Sequence, residues 1–486
     1  MKISEIIYRE EFIFSEVDDE LEFDSITTNA EEIHEGCVFI VPNSLKLTDK
    51  INFSSPPVAV ICDANAKLPE NFPAIRVMNP RLAMAKAYMR YANINFNKMK
   101  IIGVTGTNGK TSTAFFIKSV LSGCGIKVGF IGTGRIEIDG EIINEPYYSM
   151  TTPDPALLYP VLKKMELAGC EAVVMEVSSH ALALDKVAPL IFDYGVFTNF
   201  SSEHTDFHGS NEEYFLAKNK LFSICRCGVF NIDDDQARRA YALCKTRKLS
   251  AGILWRGDVW AVNIENRGFD GISYIYHFNS FSFKMNLKVA GIYNAYNSML
   301  AAAVCIDMGC RPCEVKRILG EIEGIAGRYE IINDDFSVII DYAHTDSAFN
   351  NIMKELAAIK GDGTLTAVFG CGGERDREKR PRMARIAEKY ADTVIVTTDN
   401  SRNESPKDII SDIIKGFEGG CYRVIEDRSE AIRTAVISAK TGDVVAIIGK
   451  GCEKYSIDKN GYHDFNEKEI VMSALKARKA SKIICE

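Results

Sequence analysis

The chain has 486 residues, 46% hydrophobic and 26% charged, with a formal net charge of -8. That length exceeds one ordinary core, so two to four domains are expected, and the acidic balance argues against a nucleic-acid partner. No apolar run approaches the roughly 20 residues of a membrane span, and the mixed-charge start Met1-Lys2-Ile3-Ser4-Glu5 has no signal-peptide core, so no membrane partner, a cytoplasmic location and reduced cysteines are expected.

Residues 1 to 97 hold short strand-like runs, Cys37 to Val41 and Val58 to Cys62, closed by a helical stretch near Leu82 to Tyr91. They read as a small α/β domain. From Lys98 the pattern changes. A β run at Lys100 to Thr105 leads into a Gly-rich loop, and Thr113 to Ser122 has helical spacing. A helix near Ala156 to Ala168 precedes strands at Ala172 to Glu176 and Tyr194 to Phe197. Strands alternating with helices predict a doubly wound, mainly parallel sheet. Alternating positions over about 251 to 290 predict antiparallel additions, so 98–326 reads as one central unit. Strands at Ser337 to Ile340, Leu365 to Phe369, Thr393 to Thr397 and Asp443 to Ile448 predict a further α/β domain over 327–486. Cys310-Arg311-Pro312-Cys313 is a lone C-x-x-C, better read as a helix-to-helix turn than as a metal or redox site.

The loop Gly106-Thr107-Asn108-Gly109-Lys110-Thr111 lies between a predicted strand and a predicted helix, the context a phosphate-binding loop requires. Glycines let the backbone wrap around phosphates, and amides at a helix N-terminus face the anion. Lys110 offers a point charge to the β- and γ-phosphates, and the Thr111 hydroxyl can bind Mg²⁺. The spacing is shorter than in G-x-x-x-x-G-K-[ST], and the alternative is a Gly-rich turn with a surface Lys. Glu176 ends an apolar strand, where a parallel sheet opens its ligand crevice; taken alone it also reads as a capping Glu. Three of the seven His (His180, His204, His208) fall within 29 residues, which points to a shared site. Lys218, in Tyr214-Phe215-Leu216-Ala217-Lys218, reads locally as a helix-surface Lys.

These residues, taken together, resemble the Mur ligases, and among them the UDP-N-acetylmuramoyl-tripeptide synthetases. The resemblance rests on G-T-N-G-K-T (106–111), T-T-P (151–153), E-V-S-S-H-A-L-A-L (176–184), T-N-F-x-x-x-H-x-D-F-H-G (198–209) and Y-x-x-A-K-x-x-L-F (214–222). It continues through N-x-x-N-x-x-x-A-A (294–302), G-R-Y-E (327–330), D-Y-A-H-T (341–345), F-G-C-G-G-E-R-D-x-x-K-R-P (369–381), D-N-S-R-N-E (399–404) and G-K-G-C-E (449–453). The blocks run in family order over most of 98–455.

The resemblance implies an ATP- and Mg²⁺-dependent ligase in peptidoglycan synthesis. Such an enzyme activates a carboxylate as an acyl phosphate and couples it to an amine. It implies three domains: UDP-substrate binding (1–97), a central ATPase (98–326), and a C-terminal Rossmann-like domain for the amino acid and part of the ATP site (327–486). By position, Thr111, Glu176 and His204 would serve Mg²⁺, and Lys218 matches the lysine the family carbamylates. Lys110, Lys218 and His204 are the catalytic candidates. Asn294, Asn297, Arg328, Asp341 and His344 match nucleotide-side positions, and Thr151, Thr152, Ser179, Lys186 and Gly449 match substrate-side ones. The implied partners are small molecules, a UDP-MurNAc-dipeptide or related carboxylate and a diamino acid, bound by a monomer.

Arg402, in D-N-S-R where the diaminopimelate-using form has D-N-P-R, can clamp a distal carboxylate. Asn400 can bond the same end, Glu453 can take a distal ammonium, and Arg375 matches another family position. meso-Diaminopimelate is therefore the expected third residue, since L-lysine has no distal carboxylate. Ser401 and Cys452 depart from the usual Pro and His. Larger departures sit in the first domain, where Asn29, Ala30 and Glu31 replace the Asp-Ser-Arg of a uridine-binding motif and 44–53 looks shortened. Lys186 replaces an Arg, and Glu203 an Asp. Two readings follow: a tripeptide synthetase with moved uridine contacts, or a paralogue acting on another carboxylate. A non-catalytic ATP-binding scaffold would predict loss of Lys110, Glu176, His204 or Lys218, and all are present.

Overall fold

The computed structural model describes residues 1–42, 56–68, 72–143, 151–419 and 422–485. The 44–53 segment read as shortened lies outside them. Among the described residues, no helix is long and apolar enough to cross a membrane.

The central sheet has 11 strands. At its middle, Lys100–Thr105 pairs in parallel with Ala172–Glu176 on one side and with Phe192–Phe197 on the other. These are near-continuous apolar runs because helices cover both faces. Val128–Gly132 continues the sheet beyond Ala172–Glu176. Cys225–Asn231 and Arg247–Gly252 extend the other side in parallel, and the antiparallel additions begin between Val259–Asn266 and Ile272–Phe278. The predicted antiparallel region therefore starts slightly late, since Arg247–Gly252 still pairs in parallel with Val259–Asn266.

The register decides where the site is. Val104 stands opposite both Glu176 and Val196, so three neighbouring strands end together. The loops that follow them meet at one edge, the crevice of a doubly wound sheet. The loop at Gly106 feeds the helix Lys110–Gly123, which starts three residues earlier than its apolar spacing suggests.

Near the N-terminus, Ser25–Thr27, Cys37–Ile40, Ala59–Asp63 and Ala74–Val77 form a parallel sheet with Phe14–Ser15 antiparallel at its edge. The helix Pro80–Ala92, capped by the Asn79 side chain, packs against Pro155–Leu167. One apolar cluster runs from Ile3 and Tyr88 through Leu158 to Phe192, so this sheet shares a core with one face of the central one. The third sheet is parallel across Ser337–Asp341, Val444–Ile448, Leu365–Phe369, Thr393–Val396 and Tyr422–Val424, with Glu330–Asn333 antiparallel at one edge. Pro312 opens the helix Pro312–Glu321, and Cys310 and Cys313 are free thiols, so the C-x-x-C is a helix-to-helix turn.

Candidate active site

The loop before Lys110 is held from behind. Gly106 adopts φ +143°, and a Cβ there would collide with the Thr198 hydroxyl. Gly109 is left-handed at φ +80°, with Asn297 Oδ1 filling the space a Cβ would need. Thr107 N donates to Asn199 O at 2.8 Å, and Asn108 N to Asn199 Oδ1 at 2.9 Å. The first amides of Lys110–Gly123 have no intrahelical acceptor by geometry, so this end is built for an anion. Lys110 Nζ folds back onto Gly106 O at 3.0 Å and Thr107 O at 2.9 Å. Burial pushes its ammonium pKa down, while Glu176 and Glu203 pull the other way.

Glu176 is only 1% exposed. Its Oε2 accepts from Thr111 Oγ1 at 2.9 Å and its Oε1 from Thr133 N at 3.0 Å, so it is no helix cap. Thr133 Oγ1 donates to Thr151 Oγ1 at 3.1 Å, and Thr152 Oγ1 donates to Glu176 O at 2.9 Å. A hydroxyl and a carboxylate side by side are hard oxygen donors that suit Mg²⁺. Among the described residues no three His, Cys, Asp or Glu side chains gather closely enough to hold a metal alone. A Mg²⁺ here would therefore take phosphate oxygens and water as its remaining ligands, its usual habit.

Lys218 corrects its local reading as a surface residue, for it is 1% exposed. The helix Asn211–Asn219 turns that face onto the phosphate loop, where Lys218 Nζ donates to Gly106 O at 2.8 Å and lies 4.3 Å from the Tyr214 ring centre. Burial, reinforced by the Lys110 cation, pushes its pKa well below the ordinary lysine value. The three His do gather: the His180 ring centre lies 4.9 Å from that of His204 and 5.5 Å from that of His208, whose Nε2 is 3.0 Å from Ser179 Oγ. His204 has φ +56°, and burial lowers its pKa to about 4 against the pull of Glu203, which leaves the imidazole neutral at pH 7.

The C-terminal sheet supplies the opposite wall. Arg328 Nη2 donates to Thr111 Oγ1 at 3.1 Å. His344 Nε2 lies 3.1 Å from Glu203 Oε1. Burial pushes the Glu203 carboxyl up, but His344, with His204 and Lys110, holds it below the usual range. Asn400 Nδ2 donates to Glu453 Oε2 at 2.8 Å, and Arg402 Nη1 to Gly373 O at 2.7 Å. Lys186 pairs with Asp154 at 2.7 Å.

A single cleft of about 900 Å³ brings together Lys110, Thr111, Thr151, Thr152, Glu176, Ser179, Lys186, His204, Lys218, Arg328, His344, Arg375, Asn400, Arg402, Gly449 and Glu453. Asn294, Asn297 and Asp341 stand behind it. Asn297 Oδ1 accepts from Thr113 Oγ1 at 3.2 Å, Asn294 Nδ2 bonds Ala290 O at 2.7 Å, and Asp341 accepts the Tyr329 and Ala343 amides. Sequence reasoning missed Thr133, Tyr342 and Lys379 on the cleft. Thr133 was findable, since it follows a parallel strand next to the one ending in Glu176. Asn29 and Glu31 lie elsewhere, in a short turn where Asn29 Oδ1 accepts from Glu31 N at 3.1 Å.

Comparison with known proteins agrees with this geometry. Residues 104–305 match the Mur ligase middle domain, and 327–451 match the Mur ligase, glutamate ligase domain. The chain is 34% identical over 485 residues to UDP-N-acetylmuramoyl-L-alanyl-D-glutamate–2,6-diaminopimelate ligase 1 of Clostridium acetobutylicum, covering 98% of this chain and 99% of that one. It is 39% identical over 423 residues to a ligase of the same name from Caldanaerobacter subterraneus, covering 86% of each. A solved ligase of that name superposes with a TM-score of 0.68 at 26% identity over 99% of both chains. A Mycobacterium tuberculosis folylpolyglutamate synthase shares the fold, with a TM-score of 0.65 at 18% identity, over 76% of this chain and 92% of that one. The chain belongs to the Mur ligase family, whose members are ATP-dependent, ADP-forming ligases.

Proposed function

We propose that this protein ligates meso-diaminopimelate to UDP-N-acetylmuramoyl-L-alanyl-D-glutamate through an acyl phosphate. The observation that carries this reading is the cleft itself, with Lys110, Thr111, Glu176 and Lys218 on one wall and Asn400, Arg402 and Glu453 on the other. We take 1–97 as the unit for the UDP substrate, 98–326 as the ATPase and 327–486 as the amino-acid unit.

The loop amides and Lys110 hold the ATP phosphates and neutralise charge as the γ-phosphoryl group moves to the substrate carboxylate. Thr111, Glu176, His204 and a carbamylated Lys218 would hold Mg²⁺, which supplies further charge neutralisation when bound. A carbamate forms on a neutral amine, and burial beside Lys110 favours that form of Lys218. Arg402 and the Asn400 amide receive the distal carboxylate of the diamino acid, and Glu453 receives its distal ammonium. The free amine attacks the acyl phosphate, phosphate leaves, and the walls keep water from the anhydride.

The test is ADP release with Mg²⁺ and ATP, pairing UDP-N-acetylmuramoyl-L-alanyl-D-glutamate with a panel of amino acids. Turnover fastest with meso-diaminopimelate is expected; faster turnover with L-lysine would overturn the amino-acid assignment. A second reading, ligation to a different carboxylate, is favoured by Asn29, Ala30 and Glu31, because an exposed acid there would repel a pyrophosphate. No turnover of that nucleotide with any amino acid would select it.

A further inference from the structure

Beside the amino-acid end of the cleft lies a charged side chain that the ligase chemistry leaves unused. Lys450 follows Gly449 and is 1% exposed. Its Nζ donates to Asn400 Oδ1 at 2.6 Å and lies 3.5 Å from Glu453 Oε2 and 3.6 Å from Asp399 Oδ1. Asn400 Oδ1 also accepts from Ile457 N at 3.0 Å, while Asn400 Nδ2 donates to Glu453 Oε2 at 2.8 Å.

These contacts settle which way the Asn400 amide faces. An ammonium has three donors and no acceptor, and a carboxylate has acceptors only. Flipping the amide would set Nδ2 against the Lys450 ammonium and the Ile457 N–H, and Oδ1 against the Glu453 carboxylate. All three contacts would then be lost together. In the orientation present, both lone pairs of Oδ1 are used, so Asn400 has no acceptor left for a ligand. One Nδ2 hydrogen goes to Glu453, and the other is available to an acceptor in the cleft.

We propose that Lys450 is a positioning residue for amino-acid selection: it locks Asn400 as a donor toward a ligand carboxylate and braces Glu453 as the acceptor for a ligand ammonium. The pocket so arranged reads a zwitterionic side-chain end and disfavours one that carries an ammonium alone. Lys450 itself is not on the cleft wall, so it acts through Asn400 and Glu453 without touching the ligand. The inference rests on the ligase reading above.

The experiment begins with wild-type turnover of meso-diaminopimelate, because its failure would overturn the ligase reading itself. Given turnover, Lys450→Met is expected to raise KM for meso-diaminopimelate about tenfold, the loss of one charge-assisted hydrogen bond, with KM for ATP unchanged. The kcat/KM preference for meso-diaminopimelate over L-lysine should fall by a similar factor. An unchanged KM for the diamino acid, or an equal rise in both KM values, would overturn the proposal. Should Lys450→Met not fold, Asn400→Asp carries the test, since an aspartate keeps the Lys450 and Ile457 partners but loses the donor and sets a second carboxylate against Glu453. It is expected to raise KM for meso-diaminopimelate while sparing L-lysine; unchanged selectivity would overturn the proposal.

Discussion

Arg328 Nη2 donates to Thr111 Oγ1 across 217 residues of chain, and Thr111 Oγ1 in turn donates to Glu176 Oε2. The arginine belongs to the start of the C-terminal sheet and the threonine to the phosphate loop. This bond therefore ties the two walls of the cleft at the hydroxyl that would serve Mg²⁺. The Arg328 guanidinium also lies 4.1 Å over the Tyr342 ring, so its plane is set from both sides.

Replacing Arg328 with Ala should raise KM for ATP about tenfold, the worth of a charge-assisted hydrogen bond. Arg328→Lys should recover little, because a point charge cannot stack on Tyr342 and bond Thr111 together. ADP release measured against ATP concentration checks both variants; full activity in Arg328→Lys would contradict the geometry.

Lys110→Ala should lower kcat by at least about a hundredfold, the usual cost of removing one preorganised charge donor from a transition state. The variant should melt close to the wild-type temperature, because the bonds Lys110 makes among the described residues go to two carbonyls of its own loop. Single-turnover phosphoryl transfer reads the loss directly.

Lys218 gives a carbon-dioxide prediction. Burial and Lys110 lower its pKa, so a larger fraction is neutral and reactive at pH 7 than for an exposed lysine. Enzyme freed of bicarbonate should regain activity when bicarbonate is added, with a carbamate carbon signal in the NMR spectrum of the folded enzyme given ¹³C-bicarbonate. Lys218→Ala should be inactive and insensitive to bicarbonate.

Stability near the N-terminus should depend on pH through Glu11, which bonds Lys86 at 2.7 Å and Arg90 at 2.8 Å. Burial alone would raise the Glu11 pKa, but those two cations bring it from 4.5 to about 2. A depressed folded pKa adds stability above the unfolded value and loses it as the pH falls toward the folded one. Glu11→Gln should destabilise the protein by about 2 kcal/mol at pH 7, and the gap to wild type should narrow below pH 4.5. Denaturant midpoints at several pH values test the sign; a gap that widens in acid would refute it.

Much of the Lys110 wall of the cleft was legible in the sequence because its parts are local. A β run, a glycine turn and a helix are consecutive in the chain, so Gly106 to Thr111 announces its own conformation. Glu176 was readable for the same reason, as the last residue of an apolar strand. Arg402, Asn400 and Glu453 came only by resemblance, since nothing near them in sequence says what faces them.

Lys218 shows where local reading stops. Its helical neighbours predict exposure, and burial follows only once Asn211–Asn219 lies against the loop at Gly106. Lys450 is a further case: its partners lie 50 residues away at Asn400 and three residues away at Glu453. The sequence by itself determined the glycine turn at Gly106 to Thr111 and the alternation of strands and helices, because backbone conformation and periodicity are set by neighbours in the chain. Only the tertiary structure decided which charges are buried, which hydroxyl Arg328 holds and which way Asn400 faces. Hydrogen-bond direction and desolvation depend on groups that only the strand register and the meeting of two sheets bring together.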